Sequence, residues 1–232
     1  MKFYFLIGCI LFCSINYLAA QKYAAELSGP NEAPPNGSPG TGLATITITG
    51  NSMRVQCTFS GLVAGVTAVH IHAATMVAFT GTAGVATTTP TFAGFPGGVT
   101  SGSYDNTLDM SLASSFNPSY VTAHGGTPTQ AWADLKAAML DGKSYFNIHT
   151  SSFPGGEIRG FLITPTCSST KTGNWNDPSV WSCNIVPTGL ENVKILSGHV
   201  VSTPASYVAY AKNIEINGEL KKGSGSNLIL IQ

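Results

Sequence analysis

Three histidines in two separate segments are the residues of this chain with the clearest chemical potential. Residues 66–73 read Val-Thr-Ala-Val-His-Ile-His-Ala, and residues 145–150 read Tyr-Phe-Asn-Ile-His-Thr. Successive side chains of a β-strand point to opposite faces, so His70 and His72 share a face about 7 Å apart, and His149 is placed in the same way on its own strand. If the apolar residues between them face the core, the three imidazoles emerge together on the outer side of one sheet. These apolar residues are Val69, Ile71, Phe146 and Ile148.

The three imidazoles define a candidate metal site. Neutral imidazole is a good ligand for zinc and copper, and such ions need three or four donors at about 2.0–2.1 Å. Copper or zinc is therefore the cofactor that a site formed by His70, His72 and His149 would hold under the metal-binding interpretation, and no other cofactor is indicated. The competing interpretation is structural: the same histidines hydrogen-bond to loop backbone and to Glu157, because buried polar groups generally find partners.

Glu157 and Arg159 are the candidate residues that support this site. They lie two residues apart on one face of the predicted last strand of the first domain, residues 157–164. Three roles are open for them: a pair across the sheet, support for the tautomer of a metal-bound histidine, or contact with water.

Hydrolytic machinery is absent from the sequence. The chain has no Gly-x-Ser-x-Gly elbow, no His-Glu-x-x-His helix and no phosphate-binding glycine loop after a strand. With 11 acidic residues in the whole chain, few carboxylate pairs are available for acid–base catalysis. We predict that the protein is not an enzyme, and a metal-dependent redox activity is the one enzymatic alternative.

Composition favours an all-β protein. The 26 glycines and 13 prolines suit short strands joined by many turns, and one short helix is predicted at residues 129–140. Charged residues make up only 9% of the chain and balance at 11 against 11, so there is no basic stripe for a nucleic acid.

Residues 1–20 have the pattern of a signal peptide. Lys2 precedes an apolar run at residues 3–12, and Leu18-Ala-Ala forms a small-residue cleavage site before Gln21. Ser14 and Asn16 interrupt the apolar segment and make it a poor membrane span. The mature chain is therefore expected to be exported, whether secreted, held on the cell surface or kept in the periplasm, and not to be an integral membrane protein.

Cleavage of the signal peptide would leave three cysteines in a compartment that permits disulfides. Cys57 alternates with apolar residues in a predicted strand and is expected to be a buried thiol. Cys167 and Cys183 then remain to form a disulfide.

A change of character at residues 165–171 marks a domain boundary. We predict a β-sandwich domain at residues 21–165 and a partial β-solenoid-like module at residues 166–232. The second part offers three short β-prone runs, at residues 193–196, 213–216 and 227–231, separated by turns that contain glycine.

Five blocks of sequence resemble the CHRD domain in order and spacing. They are Leu27-Ser-Gly-Pro-Asn-Glu-Ala-Pro-Pro, Gly42-Leu-Ala-Thr, Val69-His-Ile-His, Asn147-Ile-His-Thr and Pro154-Gly-Gly-Glu-Ile-Arg-Gly. This domain is named for chordin, an extracellular antagonist of bone morphogenetic proteins, and it also occurs in microbial secreted proteins. The resemblance implies an all-β extracellular domain, expected here as an antiparallel, Greek-key-like β-sandwich.

Two further resemblances are shorter. Thr172-Gly-Asn-Trp-Asn-Asp-Pro-Ser-Val-Trp-Ser-Cys, with Ser197-Gly-His-Val after it, is similar to a module of bacterial surface proteins that leads into a β-solenoid. The His-x-His pattern resembles the copper-ligand strand of copper/zinc superoxide dismutases. The histidine that bridges the two metals there, and the cluster of zinc ligands, have no counterpart in this chain.

Two functional hypotheses follow. The first is an exported, non-enzymatic binding or scaffolding module of the bacterial cell surface or the extracellular space, whose partner is an extracellular protein or a glycan. The alternative is a copper- or zinc-binding protein, superoxide dismutase-like in architecture, that uses His70, His72 and His149.

Overall fold

A computed structural model describes residues 20–189 and 191–230 of this chain. The predicted signal peptide, apart from Ala20, lies outside the described residues. Seven strands form the first sheet: β1 Gln21–Ser28, β2 Thr41–Thr49, β3 Ser52–Ser60, β4 Val66–His72, β5 Gly102–Asp109, β6 Tyr145–Thr150 and β7 Ile158–Phe161.

This sheet is antiparallel and curls to enclose its own core. The strand order is β4-β6-β7-β1-β2-β3-β5, so β7 returns beside β1 in a Greek-key-like arrangement. The two ends of the sheet meet across Phe92, whose ring centroid lies 6.1 Å from that of Tyr104 on β5 and 5.8 Å from that of Phe146 on β6. The predicted all-β sandwich is confirmed, with one continuous sheet supplying both layers.

The corner of the sheet lies between β7 and β1. Only Ser28 and Arg159 pair within these two strands, and Ala24 of β1 bridges Ile163, which lies beyond the end of β7. Between the two pairs, a Cβ on Gly160 would lie 2.2 Å from the carbonyl oxygen of Glu26, so a residue without a side chain is needed for the approach. β7 is accordingly shorter than the predicted strand at residues 157–164.

Two helices, α1 Pro118–Ala123 and α2 Pro128–Leu140, precede the second histidine strand. Helix α2 matches the predicted helix, and the hydroxyl of Thr127 accepts the amide of Gln130 at 3.3 Å as its N-cap. Its buried residues are Ala131, Trp132, Leu135, Ala138 and Met139.

β5 lies earlier in the chain than the apolar alternation of Leu108, Met110 and Leu112 suggests. The strand ends at Asp109, because the carboxylate of Asp109 accepts the amide of Ser111 at 2.9 Å and turns the chain.

The residues after 165 form eight short strands with parallel pairing. They are β8 Thr166–Ser168, β9 Gly173–Asn174, β10 Asn192–Ile195, β11 Val200–Thr203, β12 Val208–Ala211, β13 Asn213–Ile216, β14 Glu219–Lys222 and β15 Asn227–Leu230. β10 lies between β8 and β13, β11 lies between β9 and β14, and β12 pairs with β15. The three predicted runs coincide with β10, β13 and β15.

Each part of the chain has its own hydrophobic core. The first contains residues between 23 and 162, and the second contains residues between 167 and 228. The predicted disulfide between Cys167 and Cys183 is present in the second core, and Cys57 is buried as a free thiol in the first. Among the described residues, no helix has the length and apolar character needed to cross a membrane.

Candidate metal centre

The pairing of β4 with β6 brings the two histidine segments together. In this antiparallel pair His70 lies opposite Asn147, His72 opposite Tyr145, and Ala68 opposite His149. Because residues opposite each other share a face, all three histidines lie on the same face of two neighbouring strands. Their apolar neighbours Val69, Ile71, Phe146 and Ile148 are fully buried on the other face.

The three imidazoles lie in contact with one another. One nitrogen from each ring can be chosen so that all three lie within 4.8 Å of one another. Nδ1 of His70 is 3.2 Å from Nε2 of His72, and the ring centroids of His70 and His149 are 4.7 Å apart. Rings at these distances can hold a single ion with modest movement of their side chains.

The site is buried, which differs from the expected open outer face. Each of the three histidines is only 6–8% exposed. The segment after β4 folds back over the sheet, and Val85 forms an isolated bridge with His72. The turn after β6 covers the other end through Pro154, so the imidazoles lie beneath two loops.

Backbone carbonyls fix the tautomers of two of the histidines. Nδ1 of His72 lies 2.8 Å from the carbonyl oxygen of Ala83, and Nδ1 of His149 lies 3.0 Å from that of Pro154. A carbonyl only accepts, so each Nδ1 carries the proton and each Nε2 presents a lone pair. Nε2 of His72 then accepts the Nδ1 proton of His70. Nε2 of His149 is buried without a hydrogen-bond partner.

Burial keeps the cluster neutral. It lowers the pKa of His70 to about 3, with the neighbouring imidazoles His149 and His72 adding to the effect. It lowers the pKa of His72 to about 4, and it also lowers the pKa of His149. The three rings are therefore uncharged at neutral pH, which is the form that binds a metal ion.

Arg159 lies close to the cluster but does not bond to it. Its guanidinium carbon is 4.7 Å from the ring centroid of Tyr145, and the same ring stacks on His72. Nε of Arg159 donates to the carbonyl of Asn31 at 2.6 Å, and Nη1 donates to that of Gly81 at 3.1 Å. Arg159 therefore links two loops next to the histidines by hydrogen bonds to their backbone carbonyls.

Glu157 is completely buried, and it does not face water or Arg159. Its carboxylate accepts the hydroxyls of Ser38 and Thr150 and the amide of Val63, each at 2.6 Å. Within the described residues neither Glu157 nor Arg159 hydrogen-bonds to a histidine. The structural interpretation expected hydrogen bonds to loop backbone and to Glu157: the first are present at Ala83 and Pro154, and the second are not.

A buried carboxyl, that of Glu32, lies beside Arg159, and no pattern of residue types indicated it. Glu32 is buried, and burial raises its pKa to about 7 although Arg159 opposes the effect. Oε2 of Glu32 lies 3.8 Å from Nε of Arg159. Both residues line a cleft of about 640 Å³ with Phe79 and Phe161 at its side.

The other histidines and the tail tryptophans do not join the site. Nδ1 of His124 pairs with Asp134 at 2.8 Å, and Nδ1 of His199 lies 2.8 Å from the hydroxyl of Ser169. Trp175 and Trp181 are both buried in the second core, and Nε1 of Trp181 donates to the carbonyl of Trp175 at 2.8 Å.

The family of the chain can now be stated. The model of the CHRD domain family matches residues 23–162, which include all three histidines. The chain belongs to the CHRD domain family. No curated protein and no solved structure matches this chain.

Proposed function

We propose that this protein is an exported, non-enzymatic binding module whose CHRD domain holds a copper or zinc ion at His70, His72 and His149. The observation that carries the proposal is the buried cluster of three neutral imidazoles, all within 4.8 Å at their donor atoms. Two of the three present Nε2 because a backbone carbonyl holds Nδ1, which is the usual arrangement of metal-bound histidine.

The metal has a binding or structural role in this proposal. A catalytic metal keeps a position open for substrate, whereas these histidines are only 6–8% exposed beneath two loops. Glu157 accepts hydrogen bonds from three donors, and Arg159 donates to two loop carbonyls. Neither side chain is therefore free to transfer a proton at the site. The alternative with a superoxide dismutase-like redox activity would need an opening to solvent at the histidines.

The residues after 165 are proposed to be a second domain, the beginning of a β-solenoid. The parallel pairing of the strands supports this proposal. One sheet adds strands in the order β8, β10, β13, and a second sheet adds them in the order β9, β11, β14. Parallel rungs of this kind stack on further rungs or on a partner. We assign this domain the role of presenting or anchoring the CHRD domain, with an extracellular protein or a glycan as the partner.

Export to the bacterial cell surface or the extracellular space is part of the proposal. The signal-peptide pattern of residues 1–20 supports it, and the disulfide between Cys167 and Cys183 is compatible with an oxidising compartment.

Metal content tests the central claim. The mature chain, the variant His72→Ala and the control variant His124→Ala are purified without chelators, and bound copper and zinc are measured by mass spectrometry. We expect about one ion per chain in the first and the third protein and a large loss in His72→Ala. Circular dichroism establishes that each variant is folded. A mature chain that takes up neither ion, even when reconstituted, would refute the metal site.

A further inference from the structure

We infer that the ion this site selects is monovalent copper, Cu(I), held by three imidazole nitrogens and shielded from water. The inference rests on the proposed function and narrows it, because the proposed function accepts either copper or zinc. Three features of the described residues favour Cu(I): the number of donors, the charge around them and the packing of the rings.

The number of donors is three. Within the described residues, the cluster contains His70, His72 and His149 and no other histidine, cysteine or carboxylate. The nearest acid along the strand, Glu157, is committed to three hydrogen bonds of 2.6 Å. Structural zinc is almost always bound by four protein ligands, and zinc with three keeps a water in the fourth position. Zn²⁺ and Cu(I) both have a filled d shell, so the number of ligands distinguishes them here: Cu(I) needs no fourth ligand beyond three donors.

The charge around the donors opposes a divalent ion. The hydrogen-bond partners of His72 and His149 outside the cluster are backbone carbonyls, so no carboxylate is bonded to these ligand rings. The guanidinium of Arg159 adds a positive charge one ring away, 4.7 Å from the centre of Tyr145. The buried carboxyl of Glu32 lies 3.8 Å from Nε of Arg159 and faces that guanidinium rather than the ligand rings. The cost of burying an ion grows with the square of its charge, so a buried site whose three ligands are all neutral favours the monovalent ion.

The packing of the rings limits the site to few ligands. Nδ1 of His70 and Nε2 of His72 are 3.2 Å apart, closer than two metal–nitrogen bonds of about 2.0–2.1 Å placed end to end. One ion therefore reaches both nitrogens once the proton of neutral His70 has moved from Nδ1 to Nε2. Tyr145 stacks flat on His72, and its hydroxyl lies 3.3 Å from both the amide nitrogen and the carbonyl oxygen of Ala83. Cu(II) prefers a tetragonal set of ligands, which the stacked ring and the covering loops leave no room to complete.

Metal competition under argon tests the inference. The metal-free mature chain is loaded with one equivalent of zinc, and one equivalent of Cu(I) is then added from an acetonitrile complex. We expect Cu(I) to displace the zinc. X-ray absorption should then report three nitrogen ligands, and the copper should stay silent in electron paramagnetic resonance after the sample is equilibrated with air.

Controls separate this inference from the proposed function. His124→Ala is expected to behave as the mature chain does, whereas His149→Gln, which keeps a polar side chain of similar size, should lose the three-nitrogen signature. Zinc that stays bound against Cu(I), or copper that gives a stoichiometric Cu(II) signal, would overturn the inference and leave the metal site intact. A chain that binds neither ion would overturn both.

Discussion

The imidazole of His72 stacks on the phenol ring of Tyr145, with ring centroids 4.6 Å apart and planes 5° from parallel. The β4–β6 register places the two residues opposite each other, and both contact the carbonyl of Ala83. Tyr145 therefore holds the ring of His72 in the orientation that presents Nε2 to the cluster.

Replacing Tyr145 is expected to weaken metal binding without removing a ligand. In Tyr145→Leu the imidazole of His72 loses its stacking partner, and we expect about a tenfold to hundredfold loss of metal affinity, the usual cost of losing a group that orients a ligand. Tyr145→Phe keeps the ring and removes only the hydroxyl, so it should stay close to the unmodified chain. Chelator competition measures both affinities. Equal losses in the two variants would show that the hydroxyl, not the stacked ring, orients His72.

The buried carboxyl of Glu32 predicts a pH dependence of stability. Its pKa is about 7 in the folded chain against an ordinary value of 4.5, so between these pH values the folded chain holds a proton that the unfolded chain has lost. Stability contributed by Glu32 is therefore complete below pH 4.5 and falls as pH rises through 7, by about 1.4 kcal/mol per pH unit at most.

Glu32→Gln isolates this effect, because glutamine resembles the protonated acid and cannot titrate. The free energy of unfolding is measured in urea from pH 4 to 8 for the metal-free chain and the variant. Below about pH 5 the two should be similar, and near pH 8 the variant should be more stable by about 3 kcal/mol at most. Glu26→Gln, at an exposed position on β1, is the matched control. The prediction would be contradicted if the difference in the free energy of unfolding between the unmodified chain and Glu32→Gln did not change with pH.

Strand alternation predicted the face that each histidine occupies on its own strand, whereas the pairing of the two histidine strands was an assumption that alternation does not decide. His70, His72 and His149 each follow an apolar residue. Burial of the apolar residues on one face of a strand therefore places the histidines on its opposite face. The burial of the site beneath two loops was not predictable. Ala83 and Pro154 contact the histidines through backbone carbonyls, and a residue of any type has such a carbonyl. The tertiary path of two loops decided the burial.

None of the three roles left open for Glu157 matches its position in the structure, for a related reason. Alternation along residues 157–164 grouped it with Arg159 on one strand face, but β7 begins only at Ile158 and Glu157 lies just before the strand. There it satisfies the donors of Ser38, Val63 and Thr150, which come from three other parts of the chain. Hydrogen bonds between segments so far apart in the chain produce no periodic pattern in the sequence, so they could not be predicted from it.

Glu157 is therefore expected to matter for stability and not for the metal. Glu157→Gln replaces one acceptor oxygen with a donor group that faces the Ser38, Val63 or Thr150 donors, and it removes the charge from their hydrogen bonds. We expect a loss of about 2–4 kcal/mol in the free energy of unfolding. Metal stoichiometry should be unchanged in the folded variant, because Glu157 bonds to no histidine within the described residues. Loss of the metal from a folded Glu157→Gln protein would instead make Glu157 part of the site.

The disulfide between Cys167 and Cys183 is expected to stabilise the second core. It closes a loop with a sequence separation of 16 residues, and a loop of this length is worth about 3 kcal/mol in the chain-entropy account. Trp175 and Trp181 are buried in the same core. In a Trp132→Phe background, which removes the one tryptophan of the first core, tryptophan fluorescence therefore reports on the second core during unfolding in urea. In the double variant with Cys167→Ala and Cys183→Ala, the fluorescence transition should move to lower urea.

Reduction of the unmodified chain should have the same effect as the double variant, because both remove the same bond. Cys57→Ala is the control: it deletes a buried thiol from the first core, so it should destabilise the CHRD domain and leave the fluorescence transition of the second core in place. Metal content should be retained in the double variant, since the three histidines lie in the first core region at residues 70–149. If removing the disulfide also released the metal, the two cores would unfold as one unit, and the proposed division of the chain near residue 165 would fail.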